Sequence, residues 1–208
     1  DNKQLSSVAS IFGNVWNNSK EKYNGLMQTN QYGQEDGLIE VVEENGLLGN
    51  LQLPWHVDLL HFPSQVLPNR LLYATELQGK GASTDFIDTI EGIKLLDQDT
   101  FDFLRNTSIH CKAPYKTPWD AIMRRPALNF HPKHNSWSLI ADELFTIHIE
   151  GHSNYKEFIK PVIEKMKAPN TVYSHEWKLY DLMIYDNWST MHSRNSFDNS
   201  KRKLKRLT

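Results

Sequence analysis

The pair His56 and Asp58 has the residue types and the spacing of two metal ligands. Successive side chains of a β-strand point to opposite faces, so residues two apart on a strand project the same way. A second histidine, His192, lies far downstream and would have to come from another strand. Two imidazoles and one carboxylate form the 2-His-1-carboxylate triad, which holds non-haem Fe(II) and leaves positions open for a co-substrate and oxygen. These residues therefore indicate oxygen-activating iron chemistry.

Each of these residues also has a simpler interpretation. The pattern His-x-Asp is common by chance, and His56 could be a strand histidine hydrogen-bonded to the neighbouring acid. His192 could be an ordinary surface histidine. The other seven histidines are expected to have no metal role: His61, His110, His131, His134, His148, His152 and His175.

Residues 201–206 near the C-terminus alternate between two kinds of side chain. Strand periodicity puts Arg202, Leu204 and Arg206 on one face and three lysines on the other. Such a strand would have one face in an anion-binding cavity and the other in water, because a guanidinium can bind both oxygens of a carboxylate. The alternative is a solvated basic tail, or a nuclear or nucleic-acid-binding patch.

Short apolar segments separated by turn residues predict a chain made mainly of β-strands. Strands are predicted at residues 37–43, 56–62, 71–76, 136–141, 145–149, 171–177, 182–185 and 201–208. Helices are predicted at residues 5–28, 85–96, 99–104 and 153–167. Many short strands with helices outside favour a β-sandwich or jelly-roll core with flanking helices.

Length and composition favour one domain with a core of its own. The chain has 208 residues, a net charge of −2 and no apolar run of membrane-spanning length, so neither nucleic acid nor a membrane is an expected partner. The single cysteine, Cys111, excludes an intrachain disulfide framework and is compatible with a reducing, cytoplasmic location. Within the domain we expect an N-terminal helical part at residues 1–36 and a lid at residues 107–135. A homo-oligomer is compatible with free sheet edges, and the abrupt start and end suggest a fragment.

Four segments resemble, in order, the motifs of one enzyme family. Residues 55–58 (Trp-His-Val-Asp) resemble its first metal motif, and residues 81–86 (Gly-Ala-Ser-Thr-Asp-Phe) resemble its Gly-Gly-Asp-Thr-x-Phe segment. Residues 181–192 resemble its Asp-Leu-x-Ile-Trp-Asp-Asn-x-x-x-x-His segment, and residues 202–208 its closing arginine strand. The family is the taurine dioxygenase branch of the Fe(II)/2-oxoglutarate-dependent oxygenases, which have a double-stranded β-helix (jelly-roll) fold. The similarity covers roughly residues 50–208.

The resemblance implies a role for each motif residue. The metal ligands would be His56, Asp58 and His192, with no further catalytic residue. Thr84 and Arg202 would bind the co-substrate 2-oxoglutarate, although Thr84 could instead be a turn residue or a helix cap. Arg206 would then be free to contact an acidic group of the substrate. The implied cofactors are Fe(II), 2-oxoglutarate and O2, with succinate and CO2 as products.

The resemblance leaves several reactions open. Related halogenases leave the carboxylate position empty for chloride, and because Asp58 fills it here we expect hydroxylation instead. The expected substrate is small and anionic: an amino acid, a carboxylate, a sulfonate or a natural-product intermediate. Residues 49–54 lack the polar side chains of taurine-using members, so taurine itself is not predicted. The alternatives are desaturation or oxidative cyclisation in biosynthesis, and a non-catalytic, metal-containing jelly-roll module that binds a ligand.

Overall fold

Short strands that pair over long sequence distances dominate the fold. The computed structural model describes residues 2–13, 39–42, 51–61, 68–78, 83–114, 121–197 and 202–207. Within these ranges the helices are α1 (Asn2–Ser10), α2 (Thr89–Ile93), α3 (Gln98–Asn106) and α4 (Tyr155–Met166). The first strands are β1 (Ile39–Val42), β2 (Leu53–His56), β3 (Asn69–Leu77), β4 (Thr84–Asp88), β5 (Ser108–Cys111), β6 (Met123–Pro126) and β7 (Leu128–His131). The last strands are β8 (Ser136–Leu139), β9 (Thr146–Ile149), β10 (Val172–His175), β11 (Leu182–Asp186), β12 (Thr190–Arg194) and β13 (Arg202–Leu207).

The strands form two four-stranded sheets and two smaller ones, and all their pairings are antiparallel. The first sheet has the order β1-β13-β3-β11, and the second has the order β10-β4-β12-β2. Strands β6-β5-β9 and β7-β8 form the smaller sheets. Side chains from both large sheets meet in one apolar cluster, so the sheets pack face to face. The members of that cluster are Leu72, Ala74, Phe86, Trp177, Tyr185 and Leu204.

Helix α4 covers the larger core on the other side of the second sheet. Its buried residues recur at helical spacing: Tyr155, Ile159, Val162, Ile163 and Met166. Gly92 of α2 lets that helix approach α4 closely, since a Cβ at this position would lie 2.9 Å from Cε of Met166. No helix among the described residues is long and apolar enough to cross a membrane.

Two predicted elements differ from the structure near the candidate site. The strand predicted at residues 56–62 is wrong, because β2 ends at His56 and a turn follows in which Leu59 has a φ of 59°. The helix predicted at residues 85–96 begins instead as strand β4. Residues of β4 pair with both β10 and β12, and this pairing overrides the helical spacing of the apolar residues. Asp88 then caps the short helix α2 by accepting from the backbone N–H of Ile90 and of Glu91.

The predicted N-terminal helical part and the predicted lid are described only in part. Helix α1 covers the beginning of the predicted N-terminal helix, while residues 14–28 lie outside the described residues. The stretch at residues 107–135 contains β5, β6 and β7, and residues 115–120 lie outside the description. The single domain and the lid stay predictions.

Candidate metal and anion site

The two candidate histidine ligands face each other across a strand pair. Strands β2 and β12 are neighbours, and His192 lies directly opposite His56 in their register. Residues opposite each other on one face of an antiparallel pair have close Cβ atoms. The two imidazole centroids are accordingly 4.0 Å apart, and both rings are buried. Strand pairing therefore brings together two histidines that are distant in sequence.

Asp58 reaches the same point from the turn after β2. Its Oδ1 lies 3.9 Å from Nε2 of His56. One ligand atom from each of His56, Asp58 and His192 can be chosen so that all lie within 4.8 Å of one another. The turn brings the carboxylate to the imidazoles, so these three residues meet even though Asp58 is not on a strand.

The donor atoms are in the protonation states that a metal needs. Nδ1 of His56 donates to the carbonyl of Pro54 at 2.7 Å, which leaves Nε2 with a free lone pair towards Asp58. Nδ1 of His192 is buried and has no hydrogen-bond partner among the described residues. Burial lowers the pKa of both histidines, so both rings are neutral at pH 7.

Asp58 is held in its ionised form. Burial alone would raise the pKa of this carboxyl, but the positive charges of Arg70 and Arg206 outweigh burial and hold the pKa well below its usual range. Two neutral imidazoles and one carboxylate are the donor set that suits Fe(II) with open positions. The residues present therefore fit a non-haem iron.

Three residues of the first sheet surround the Asp58 carboxylate. Arg70 of β3 places Nε 3.2 Å from Oδ2, and the hydroxyl of Tyr185 on β11 donates to the same oxygen at 3.3 Å. Arg206 of β13 places Nη1 3.6 Å from Oδ1. Of these three residues, only Arg206 was predicted from the sequence as a site residue. The sequence signal for Arg70 was a charged residue directly before the apolar residues of β3. In the structure Arg70 is 1% exposed.

The two residues predicted to bind 2-oxoglutarate are in contact. A guanidinium nitrogen of Arg202 donates to Oγ1 of Thr84 at 3.1 Å, and the indole of Trp177 donates to the same oxygen at 2.9 Å. A hydroxyl has two acceptor lone pairs and one hydrogen to donate. Both lone pairs of Thr84 are therefore occupied, which leaves its hydrogen for donation to an acceptor such as a carboxylate. Trp177 was missed in the sequence, where a lone tryptophan gives no such signal.

The charges around the site favour anions. Among the described residues, Arg70 and Arg206 contact the ionised carboxylate of Asp58, and Arg202 adds a third positive charge beside Thr84. Burial lowers the pKa of Arg202 to about 9, which still leaves it charged at pH 7. A surplus of positive charge in a low-dielectric site attracts negatively charged ligands.

A buried acidic loop after β8 supports the metal segment from behind. Oδ2 of Asp142 accepts from the backbone N–H of Val57 at 3.2 Å. The backbone N–H of Glu143 donates to the carbonyl of Trp55 at 2.9 Å, and the N–H of Trp55 donates to the Glu143 carboxylate at 3.2 Å. This loop thus fixes the backbone on both sides of His56. This loop was not predicted from the sequence.

Three other histidines have contacts of their own and are not assigned as ligands. His131, His134 and Asp186 form a second group of potential ligands, but Nε2 of His131 already donates to Asp186 at 2.7 Å. The other ring nitrogen of His131 accepts from the backbone N–H of His134 at 3.2 Å. His61 stacks on Phe145 with centroids 4.5 Å apart, and burial lowers its pKa to about 4.

Comparisons with known proteins identify the family of the chain. The chain matches the model of the "Taurine catabolism dioxygenase TauD, TfdA family" over residues 1–208. A 3-((Z)-2-isocyanoethenyl)-1H-indole synthase of Fischerella ambigua is 25% identical over 189 residues, which cover 83% of this chain and 68% of that protein.

Solved structures give the same answer for the fold. A taurine dioxygenase from Burkholderia xenovorans superposes with a TM-score of 0.78 at 16% identity, covering 100% of this chain and 71% of that one. PvcB of Pseudomonas aeruginosa superposes with a TM-score of 0.72 at 22% identity, covering 100% and 70%. PvcB is described as an Fe, alpha-ketoglutarate dependent oxygenase from an isonitrile synthetic pathway.

The family match and the fold confirm three predictions of the sequence analysis. The mainly β architecture is that of the jelly-roll dioxygenases. The cofactors of such enzymes are Fe(II), 2-oxoglutarate and O2. The chain belongs to the taurine catabolism dioxygenase TauD/TfdA family and is an Fe(II)/2-oxoglutarate-dependent dioxygenase.

Proposed function

We propose that this enzyme hydroxylates a small anionic substrate and releases succinate and CO2. The metal ligands are His56, Asp58 and His192. Thr84 and Arg202 bind 2-oxoglutarate, and Arg206 binds the substrate. The observation that carries the proposal is the meeting of His56, Asp58 and His192 with the arginines of the first sheet.

The residues around the proposed iron divide the work of positioning. The guanidinium of Arg202 and the hydroxyl of Thr84 hold the distal carboxylate of 2-oxoglutarate, because both can donate to its oxygens. The neutral imidazoles and the ionised Asp58 hold the cation. Iron, when bound together with 2-oxoglutarate, supplies the activation of O2 that the side chains cannot.

Arg206 suits the role of a substrate contact. Its side chain is 17% exposed, more than the nearly buried Arg70 at 1%, so a ligand can reach it. Its Nε is buried and has no hydrogen-bond partner among the described residues. A carboxylate or sulfonate of the substrate would satisfy this donor.

Desaturation is the second candidate reaction. The relative from Fischerella ambigua is a synthase of an isocyanoethenyl indole, and the ethenyl group of that product is a carbon–carbon double bond. PvcB belongs to an isonitrile pathway. A substrate radical near the iron can lead to hydroxylation, desaturation or ring closure with the same metal ligands. Product mass separates them, since hydroxylation adds one oxygen and desaturation removes two hydrogens.

The testing experiment is an anaerobic titration of the metal-free protein with Fe(II) and 2-oxoglutarate. The parent is expected to develop the weak visible charge-transfer band of the chelate, and His192→Ala is expected to lose it. His148→Ala is the matched control, because His148 is exposed and lies on β9. A folded parent without the band would overturn the oxygenase proposal in favour of a non-catalytic binding module. A substrate screen by succinate release would follow a positive result.

The remaining predictions concern the location, the partners and the oligomeric state of the enzyme. A cytoplasmic location, action on free small molecules rather than on nucleic acid or membranes, and a homo-oligomeric state are proposals from the sequence. Size-exclusion chromatography with light scattering tests the last of these.

A further inference from the structure

The two oxygens of the Asp58 carboxylate have different surroundings. Oδ1 lies on the side of His56, 3.9 Å from its Nε2, with Nη1 of Arg206 at 3.6 Å. Oδ2 is turned to the first sheet, where the guanidinium of Arg70 and the hydroxyl of Tyr185 lie at 3.2 and 3.3 Å. Oδ1 is therefore the oxygen nearer to the His56 ligand atom, with one longer contact to an arginine, whereas Oδ2 has the two closer contacts with the first sheet.

This asymmetry matters because a carboxylate can bind a cation through one oxygen or through both. In an octahedral complex, two imidazoles and a one-oxygen aspartate leave three positions open. A chelating co-substrate fills two of them, and one remains for oxygen. An aspartate bound through both oxygens would take that last position.

We propose that Arg70 and Tyr185 are positioning residues that keep Asp58 a one-oxygen ligand and so keep the oxygen position open. The inference rests on the proposed function, since it assumes that the metal is iron held by these ligands. Neither residue needs to touch the substrate. Rotation of Oδ2 towards the metal would break its ion pair with Arg70 and its hydrogen bond with Tyr185, so these two contacts oppose the rotation.

The surroundings of both residues make them rigid holders. Arg70 is 1% exposed, and its strand β3 is hydrogen-bonded on both sides, to β11 and to β13. The ring of Tyr185 packs against Phe86 and His192, with centroids 5.2 Å from each. Because Arg70 and Tyr185 pair across β3 and β11, one register fixes both donors on the same oxygen. Burial also raises the pKa of Tyr185 well above its usual range, so its hydroxyl keeps the proton that it donates.

The test measures the open position directly rather than turnover. Nitric oxide, a stable substitute for O2, is titrated anaerobically into the complex with Fe(II) and 2-oxoglutarate, and its binding is followed by electron paramagnetic resonance. The first variant is Tyr185→Phe, which removes only the hydroxyl. The second is Arg70→Lys, which keeps the positive charge but replaces the planar guanidinium with a compact ammonium group. Tyr173→Phe is the control, because its hydroxyl contacts His175 at 3.2 Å rather than Asp58.

Both variants are expected to keep Fe(II) affinity at or above that of the parent and to keep the charge-transfer band. Their nitric oxide affinity should fall on the order of tenfold, the factor that one charge-assisted hydrogen bond supplies. Tyr173→Phe should bind nitric oxide like the parent.

Each other outcome counts against a specific claim. Parent-like nitric oxide affinity in both variants would overturn the positioning role. Loss of the fold or of Fe(II) binding in both variants would assign Arg70 and Tyr185 a structural role and overturn it equally. A parent that forms no charge-transfer band would overturn the proposed function itself, which separates the two failures.

Discussion

Asn187 binds the backbone of Asp58 through both ends of its side-chain amide. The N–H of Asp58 donates to Oδ1 of Asn187 at 3.0 Å, and Nδ2 of Asn187 donates to the carbonyl of Asp58 at 3.0 Å. Asp58 lies in a turn beyond the end of β2, so no strand partner pairs with its backbone there. The amide takes the place of that partner. The position of the carboxylate is thus set by a residue that follows β11.

Asn187→Ala should weaken both the fold and the metal site. Asn187 is fully buried, and its loss leaves the N–H and C=O of Asp58 without these partners. Two lost hydrogen bonds in a buried site cost about 2–4 kcal/mol of the free energy of unfolding. Urea denaturation and Fe(II) titration measure the two effects. Asn106→Ala is the control, since its exposed amide contacts only the carbonyl of Asp102 and should change stability by less than about 0.5 kcal/mol. Equal stability of the two variants would contradict this role of Asn187.

The contact of Thr84 with Arg202 predicts graded losses of 2-oxoglutarate affinity. Thr84→Val removes one donor to the carboxylate and should raise the Kd about tenfold. Arg202→Met removes a charged fork and should raise it about a hundredfold or more. Trp177→Phe leaves both donors but frees one lone pair of Thr84, so the increase should be smaller than for Thr84→Val. Anaerobic titration of the charge-transfer band gives these constants, and a different ranking would argue against the proposed arrangement.

Arg206 should affect the substrate and spare the co-substrate. Arg206→Gln removes the charge proposed to bind the anionic group, so substrate-stimulated succinate release should need at least about tenfold more substrate. The Kd of 2-oxoglutarate should change far less, because Arg202 and Thr84 supply that contact. Lys205→Gln, one position away on β13, is the control for a lost charge. A large loss of 2-oxoglutarate affinity in Arg206→Gln would instead place Arg206 in the co-substrate site.

Asp142 predicts a pH dependence of stability in the metal-free protein. Burial raises the pKa of Asp142 to about 7, even though the backbone N–H groups of Thr146, Phe145 and Val57 donate to it. An aspartate in the unfolded chain ionises near pH 4, so between pH 4 and pH 7 the folded state binds more protons. Stability should therefore fall as the pH rises through this window, by about 4 kcal/mol in total, and this contribution should stay constant above pH 7.

Asp142→Asn isolates this effect because the amide does not titrate. The free energy of unfolding of the parent, minus that of the variant, should therefore decrease as the pH rises from 4 to 7. Urea denaturation across that range measures it. A difference that does not depend on pH would show that Asp142 ionises normally in the folded protein.

The sequence by itself determined the chemistry of the site. Residue types and local spacing indicated His56, Asp58 and His192 as candidate ligands, and alternation put Arg202 and Arg206 on one strand face. The alternation of Arg202 and Arg206 is a local property, because the side-chain period of a strand is fixed by the backbone. The strand expected to hold both His56 and Asp58 ends at His56, and a turn brings Asp58 to the site instead. The structure brings the three candidate ligands together and directs both arginines at the second sheet. Their functional roles stay predictions that the experiments above test.

Only the tertiary structure decided which residues surround the ligands. Arg70, Tyr185 and Asn187 reach Asp58 because β3 and β11 face the turn after β2. Trp177 and Asp142 contact residues far from them in sequence. None of these contacts follows a periodic pattern in the sequence, because each depends on the register of strands that are distant along the chain. The turn at Leu59 was also missed, because local propensity does not favour a left-handed backbone at a leucine, whose φ is 59° here.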